Sequence, residues 1–311
     1  MQEKTITALR DALTRQQLPF VQGEPLAAHT TFRIGGPAVF WCAPQDAEQL
    51  RETLRLCREN GVRVYLLGNG SNTLFDDAGF DGAVVDMRGL SQMESSDAGT
   101  DVVRITAGAG QTLGRLCSKA QALGLTGLEF ACGIPGTVGG AVYMNAGAYG
   151  GEMRQVVREV RVLVPEEGIR TFSGEEMTFG YRRSLLTQNP EIVALSAVFA
   201  LTPGDPAAIR QRMQELMQKR KESQPLEWPS AGSTFKRPEG YFAGTLIDQC
   251  GLKGFRIGGA SVSEMHAGFL VNDENGTAAD YLALIAHVQR TVLEKTGVAL
   301  TPEVRILGEE P

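Results

Sequence analysis

Apolar positions along the chain follow two rhythms, one of three and four residues and one of short β-branched runs, and their alternation predicts the elements. Ile6, Leu9 and Leu13 share one face of a short amphipathic helix at the N-terminus, a packing arm or a lid. A second helix starts at the capping residue Asp46 with Gln49 three positions on, carries Leu50, Leu54 and Cys57 on one face, and stops at Gly61. The β-type runs Arg63 to Leu67, Ala83 to Val85 and Val102 to Ile105 follow, then a capped helix from Thr112 to Gly124 through Leu113, Leu116 and Ala120. Residues 25–125 therefore read as mixed α/β. From Ala141 to Ala200 the apolar runs are short and β-rich, notably Val156 to Val164 and Ile192 to Leu201, the pattern of an antiparallel sheet.

The rhythm changes at Thr202-Pro203-Gly204-Asp205-Pro206, where Asp205 can cap a helix with Pro206 in its first turn. That helix runs through Ile209, Met213, Leu216 and Met217 to Lys219-Arg220-Lys221, cations that suit a helix C-terminus, and a domain boundary is expected at its start. A last long helix follows Thr277 and runs through Leu282, Ile285, Val288 and Val292 to Gly297, ahead of a strand-like tail from Val298 to Leu307.

Composition narrows the function classes. With 311 residues the chain can bury a core without covalent staples, and a net charge of -6 gives no overall attraction for nucleic acid or anionic lipid. The five cysteines are widely spaced without a C-x-x-C pair, which fits reduced cytosolic thiols better than a disulfide framework or a cysteine zinc site. Three scattered histidines predict no histidine-rich metal centre. The charged N-terminus lacks a signal-peptide core and no window reaches the ~20 apolar residues of a membrane helix, so a cytoplasmic protein is expected. Glycine is in excess, 37 residues, and the excess is clustered, which implies tight turns or close backbone approach to a ligand.

Two of those clusters point to a phosphorylated cofactor. Gly68-Asn69-Gly70-Ser71-Asn72 follows a strand end, where consecutive backbone N–H groups can face a pyrophosphate. Thr73 breaks G-x-G-x-x-G, and no G-x-x-x-x-G-K-[ST] occurs, so neither dinucleotide fingerprint is present. The second cluster runs from Gly133 through Pro135, Gly136, Thr137, Gly139 and Gly140 to Asn145, Ala146 and Gly147. Either cluster alone reads as ordinary turns; two donor-rich segments separated by an α/β unit favour a large phosphorylated cofactor.

Three short strings place reactive side chains. Phe179-Gly180-Tyr181-Arg182-Arg183-Ser184 offers a cation to an anionic intermediate, or forms a solvated basic turn. Ser233 in Ala231-Gly232-Ser233-Thr234-Phe235-Lys236-Arg237-Pro238 lacks the G-x-S-x-G elbow of a hydrolase nucleophile. Glu303 lies in the β-patterned tail, a surface ion-pair member unless another domain covers it and raises its pKa.

Taken together, Thr31-Phe32-Arg33-Ile34-Gly35-Gly36-Pro37-Ala38, the two glycine segments, Y-R-R-S, A-G-S-T-F-K-R-P and P-E-V-R resemble the UDP-N-acetylenolpyruvoylglucosamine reductases (MurB) in the right order over about residues 28–308. The resemblance implies an α+β protein: an FAD-binding fold of the vanillyl-alcohol oxidase and p-cresol methylhydroxylase type plus a C-terminal α+β substrate domain. It implies a cytoplasmic enzyme that uses NADPH and FAD to reduce the enolpyruvyl ether of UDP-N-acetylglucosamine to UDP-N-acetylmuramate for peptidoglycan. By motif, Arg182 matches the family's active-site arginine, Ser233 its proton donor and Glu303 its catalytic glutamate. Hydride arriving at the enolpyruvyl methylene carbon builds charge beside the substrate carboxylate, which calls for a fixed cation and an acidic partner, while Ser233 protonates the adjacent carbon.

Two departures from the type I pattern point to the type II form: no long insertion lies between Tyr181 and the Asp205 helix, and Arg237 follows Lys236 where asparagine is usual. Tyr181, Lys236, Arg237 and His266 are then the candidate substrate contacts, His266 equally well a packed loop residue. The G-N-G-S-N loop offers no histidine for a covalent flavin link, so dissociable FAD is expected. The expected units are an N-terminal helical arm (1–24), two FAD-binding subdomains (25–90 and 91–204), a substrate domain (205–297) and a C-terminal strand (298–311) returning to the FAD region. A monomer or weak oligomer without nucleic-acid or membrane partners is expected. A flavin oxidase passing electrons to oxygen, and a flavin or nucleotide-sugar binding module, are the competing readings.

Overall fold

The structure, a computed structural model, describes residues 1–97 and 102–308. Helix α1 (Glu3–Arg15) and strand β1 (Phe20–Pro25) open the chain, followed by β2 (Pro37–Cys42), α2 (Ala47–Glu59), β3 (Val64–Leu67), β4 (Thr73–Phe75) and β5 (Phe80–Asp86). The Asp46 side chain accepts from the Gln49 N–H and starts α2, the capping that the sequence signals. The first sheet has the order β1-β2-β5-β3, with β1 antiparallel to β2, and β2 and β3 each parallel to β5. The N-terminal helix packs on the first unit, the first of the two uses expected for it. Leu9, Ala12 and Leu13 of α1 are buried in the core shared with Phe40, Leu50 and Val85, and β1 is the sheet's edge, because the helix's one apolar stripe has that core to cover.

The second unit contains β6 (Met93–Asp97), β7 (Val103–Gly108), α3 (Leu113–Ala122), β8 (Leu125–Thr126), α4 (Val138–Met144), β9 (Gly147–Ala148), β10 (Gly151–Glu152), β11 (Val157–Val164), β12 (Gly168–Ser173), α5 (Leu185–Gln188), β13 (Val193–Pro203) and α6 (Pro206–Ser223). Its antiparallel sheet runs β12-β11-β13-β7-β6. Alternation along β13 buries Val193, Leu195, Ala197, Phe199 and Leu201, as a half-buried strand requires. Residues 138–144 form a helix whose second half overlaps the start of the stretch, from Ala141, that is expected to be β-rich. Thr137 caps the helix, and Gly139 packs so tightly on Ala109 that a Cβ there would stand 3.0 Å from the alanine's Cβ. Helix α6 also belongs to this unit. Met213 packs on the unit's core and the helix lies against α3 and the turn at Glu129–Ala131.

The third unit is a sheet of order β14-β17-β16-β15, built from β14 (Ser230–Ser233), β15 (Arg256–Ile257), β16 (Ala260–Val262) and β17 (Phe269–Asn272), with α7 (Ala243–Gln249) and α8 (Ala278–Thr296). Thr277 and Asp280 form a capping box, Gly297 closes α8 at φ +73°, and Tyr281, Leu284, Ile285, Val288 and Val292 form its buried face. Strand β18 (Arg305–Leu307) then leaves this unit and pairs in parallel with β4 of the first, Arg305 opposite Thr73. Residues 309–311 of the expected C-terminal segment lie outside the described residues. Among the described residues no helix is long and apolar enough to cross a membrane. The cysteines are free thiols, and burial pushes Cys57 and Cys117 up to about 12, which leaves them unreactive.

Candidate active site

Where the three units meet they enclose a cavity of roughly 830 Å³. One wall is the loop after β3. Gly70 there has φ +59° and lies against the His29 carbonyl, which a Cβ would strike, so this turn accepts only glycine. Thr31 ties the loop to the third unit: its N–H donates to the Gly70 carbonyl at 3.2 Å and its hydroxyl to the Ser230 carbonyl at 2.6 Å. The facing wall is the turn into α4, joined to the first by Asn69 Nδ2, which donates to the Pro135 carbonyl at 2.6 Å.

Of the residues expected to hold a cofactor, Gly68, Asn69, Gly70, Ser71, Asn72, Pro135, Gly136, Thr137, Gly139, Gly140, Ala146 and Gly147 line the cavity. Gly133 and Asn145 do not. Gly133 turns toward α6, where a Cβ would meet Arg220 and Met217, and the Asn145 side chain is engaged behind the wall by Glu152, Gly180 and Arg154.

Arg182, Ser233 and Glu303 come together at this cavity from three distant segments. Glu303 is threaded between two neighbours through its backbone: its N–H donates to the Thr234 carbonyl at 2.7 Å, and its carbonyl accepts from Asn72 Nδ2 at 3.1 Å. Its side chain meets Arg182, with Nε donating to Oε1 at 2.5 Å. Neither Nη of Arg182 takes a hydrogen-bond partner among the described residues, which leaves them free for an anion. Burial pushes the Glu303 carboxyl above the ordinary range, while the Arg182 and Lys236 charges pull it back. Ser233, on β14, donates only a long bond of 3.3 Å to the Phe235 carbonyl.

At the mouth, Tyr181 is 58% exposed and its hydroxyl accepts from the Arg237 N–H at 3.1 Å. The Arg237 guanidinium stands 4.0 Å over the Phe242 ring. His266 also lines the cavity; its Nδ1 accepts from the Gly268 N–H at 3.1 Å, and burial lowers its pKa, favouring the neutral ring. Lys236 does not line the cavity. Its side chain is exposed, and its bearing on the site is through its charge on Glu303.

Further side chains reach the cavity that sequence reasoning did not single out. Arg305 guanidinium lies between the rings of Tyr65 and Tyr143 and donates to the Tyr143 hydroxyl. Its two-residue spacing from Glu303 in a β-patterned tail was the available signal, since alternate positions share a face. Arg220, read as a cation for a helix end, is half-buried, lines the cavity and has no carboxylate partner among the described residues. One turn on, the buried Oε1 of Gln224 has no hydrogen-bond partner. A ligand bearing phosphates and a hydrogen-bond donor suits such a wall: two glycine segments that admit close backbone approach, an unpaired cation and an orphaned acceptor. FAD has that chemistry, so the residues present fit it.

Comparison with known proteins gives two matching families, an FAD binding domain over residues 38–173 and the UDP-N-acetylenolpyruvoylglucosamine reductase C-terminal domain over residues 224–307. Full-length relatives carry the same name. The UDP-N-acetylenolpyruvoylglucosamine reductase of Agathobacter rectalis is 48% identical, covering 94% of this chain and 95% of its own length. That of Geobacillus kaustophilus is 49% identical with 93% of both covered. The crystal structure of the reductase from Thermus caldophilus superposes with a TM-score of 0.77 at 35% identity, covering 93% of this chain and 98% of that one.

Proposed function

The chain belongs to the UDP-N-acetylenolpyruvoylglucosamine reductase family, and from that premise we propose how its own residues carry the reaction. It is an FAD-dependent UDP-N-acetylmuramate dehydrogenase, reducing UDP-N-acetylglucosamine enolpyruvate to UDP-N-acetylmuramate with NADPH in peptidoglycan synthesis. The cofactor is held by the loop Gly68–Asn72 and the segment from Pro135 to Gly147, with Arg220 and Gln224 at its phosphate-bearing side. FAD bound there would supply the hydride chemistry between NADPH and the enolpyruvyl double bond.

The observation that carries the residue assignment is the meeting of Arg182, Glu303 and Ser233 at the edge of the two glycine walls. The Arg182 Nη groups face the substrate carboxylate and the enolate charge that develops beside it, in a setting where a fixed cation needs no reorganisation. Glu303 fixes that guanidinium through Nε, and burial, which raises its pKa above the ordinary carboxylate value, suits it to holding and passing a proton. Ser233 Oγ, held only loosely by the Phe235 carbonyl, turns to give its proton to the carbon next to the one that received hydride. Tyr181, Arg237 and His266 line the way in and are assigned to the UDP-sugar, with Lys236 contributing charge from outside the wall. The region up to Ser223 binds FAD, residues 224–297 form the substrate domain, and the last strand closes the site. The cytoplasm, where NADPH and UDP-sugars are available, and a monomeric or weakly associating state complete the reading.

The test is spectroscopic. The purified protein should be yellow, acid precipitation should release FAD to the supernatant, NADPH should bleach the flavin without oxygen, and the enolpyruvyl substrate should restore the colour. Colour that stays in the pellet, or bleaching that the substrate does not reverse, removes the reading.

A further inference from the structure

Asn145 lies one residue beyond α4, 1% exposed, at φ +44° and ψ 55°. Its side chain makes three bonds to two separate segments, residues 152–154 and Gly180. Nδ2 donates to Glu152 Oε2 at 2.8 Å and to the Gly180 carbonyl at 3.0 Å, and Oδ1 accepts from the Arg154 N–H at 2.9 Å. The partners fix the amide's orientation, because a carboxylate and a carbonyl can only accept and a backbone N–H can only donate.

Gly180 is the foot of the turn that presents Arg182. Its N–H donates to the Arg183 carbonyl at 2.9 Å and its carbonyl accepts from the Arg183 N–H at 3.2 Å, with Tyr181 and Arg182 at the tip. Arg182 has φ +53°, in the left-handed region that an arginine occupies only where its surroundings over-determine it. Two bonds across a turn whose tip residue Tyr181 is exposed do not do that alone. The further constraint comes from the end of α4: Asn145 grips the Gly180 carbonyl, and on the other foot the buried Ser184 hydroxyl donates to the Tyr143 carbonyl at 2.8 Å.

We propose that Asn145 is a positioning residue for Arg182, holding the left-handed turn that aims its guanidinium at Glu303. The residue type follows from the task. Asparagine tolerates the left-handed backbone and combines two N–H donors with an acceptor on a short stem; glycine has the backbone without the bonds, and aspartate lacks the donors. The string Asn145-Ala146-Gly147 thus divides its work, Ala146 and Gly147 facing the cofactor wall while the asparagine side chain braces the turn behind it.

The proposal rests on the catalytic reading of Arg182, and the experiment separates the two. Asn145→Gly keeps the backbone conformation and removes all three bonds. In the purified holoenzyme, FAD content and flavin bleaching by NADPH should stay near wild type, while reoxidation by the enolpyruvyl substrate slows ~10–10²-fold, in kcat rather than KM, as a misplaced catalytic group implies. On an Arg182→Ala background the same change should cost roughly twofold at most, because its effect passes through a side chain already absent. Wild-type reoxidation in Asn145→Gly, equal loss in both half-reactions, or a full additional loss on the Arg182→Ala background overturns the proposal. Normal turnover in Arg182→Ala alone would instead remove the catalytic reading and this proposal with it. Should the glycine variant not accumulate folded, Asn145→Ser, whose shorter side chain cannot reach all three partners and adds no charge beside Glu152, is read by the same outcomes.

Discussion

Glu303→Gln removes a charge while leaving the shape of the site, and the structure sets what each assay should read. The bonds that hold residue 303 in place are made by its backbone, to Thr234 and to Asn72, so the substitution leaves the C-terminal segment seated and the FAD walls intact. The ion pair itself is largely covered, with Arg182 and Glu303 side chains 24% and 14% exposed. Replacing the carboxylate by an amide weakens a charge-assisted hydrogen bond but also lifts the cost of burying the charge, so the net change in stability should stay within about 1–2 kcal/mol. Flavin reduction by NADPH should be near wild type. Reoxidation by the enolpyruvyl substrate should slow by ~10²–10⁴-fold, the usual contribution of a positioned acid–base group, or roughly 3–5 kcal/mol on the barrier. Anaerobic stopped-flow absorbance of the flavin separates the two half-reactions. Wild-type reoxidation would return Glu303 to a merely structural partner of Arg182, and loss of FAD would mean that the side chain, not the backbone, seats the strand.

The same pair gives a pH signature. Because burial raises the Glu303 pKa above its ordinary 4.5, the folded state binds more protons than the unfolded one as pH rises from there, so that stability falls over that window, and thermal melts of Glu303→Gln should lack this slope; parallel curves for the two proteins would show that the carboxyl is not shifted. Ser233→Ala should keep NADPH-driven bleaching and lose ~10²–10⁴-fold in reoxidation, mainly in kcat; a raised KM with kcat intact makes Ser233 a binding residue. Ser71 faces Gly136 across the two glycine walls, so Ser71→Asp should weaken FAD binding at least ~10-fold in a fluorescence titration, about 1.4 kcal/mol, by setting a carboxylate against the pyrophosphate; unchanged affinity takes Ser71 out of the site.

What could be read in the sequence was whatever a segment decides for itself. Asp46, Thr112, Asp205 and Thr277 each accept from a backbone N–H within their own first turn, so the starts of α2, α3, α6 and α8 are written locally. Strand β13 is legible because its alternation reflects one buried face. The third sheet is not, since Ser230–Ser233 and Ala260–Val262 carry small or polar residues whose pairing exists only once β17 lies between them. Helix α4 was hidden by its two glycines, of which Gly139 serves the close contact with Ala109 rather than a turn.

The site divides along the same line. Residue types at Arg182, Ser233 and Glu303 could be matched to family strings, but what makes them a site is contact between residues far apart in the chain, 121 positions in the case of Arg182 and Glu303. The ties that create this contact are ordinary polar side chains: Thr31 to Ser230, Asn72 to Glu303, Asn145 to Gly180. None is remarkable in composition, and each has a plausible local use, as a turn former, a cofactor contact or a cap. Arg220 makes the point in reverse, a cation well suited to the end of α6 that the packing of this helix on the second unit directs into the cavity. A residue's type limits which bonds it can make, and the fold chooses among them. It follows that the parts of this site most exposed to misreading from sequence are its braces, and that a substitution in a brace should separate from one in the walls by sparing FAD while slowing the substrate half-reaction.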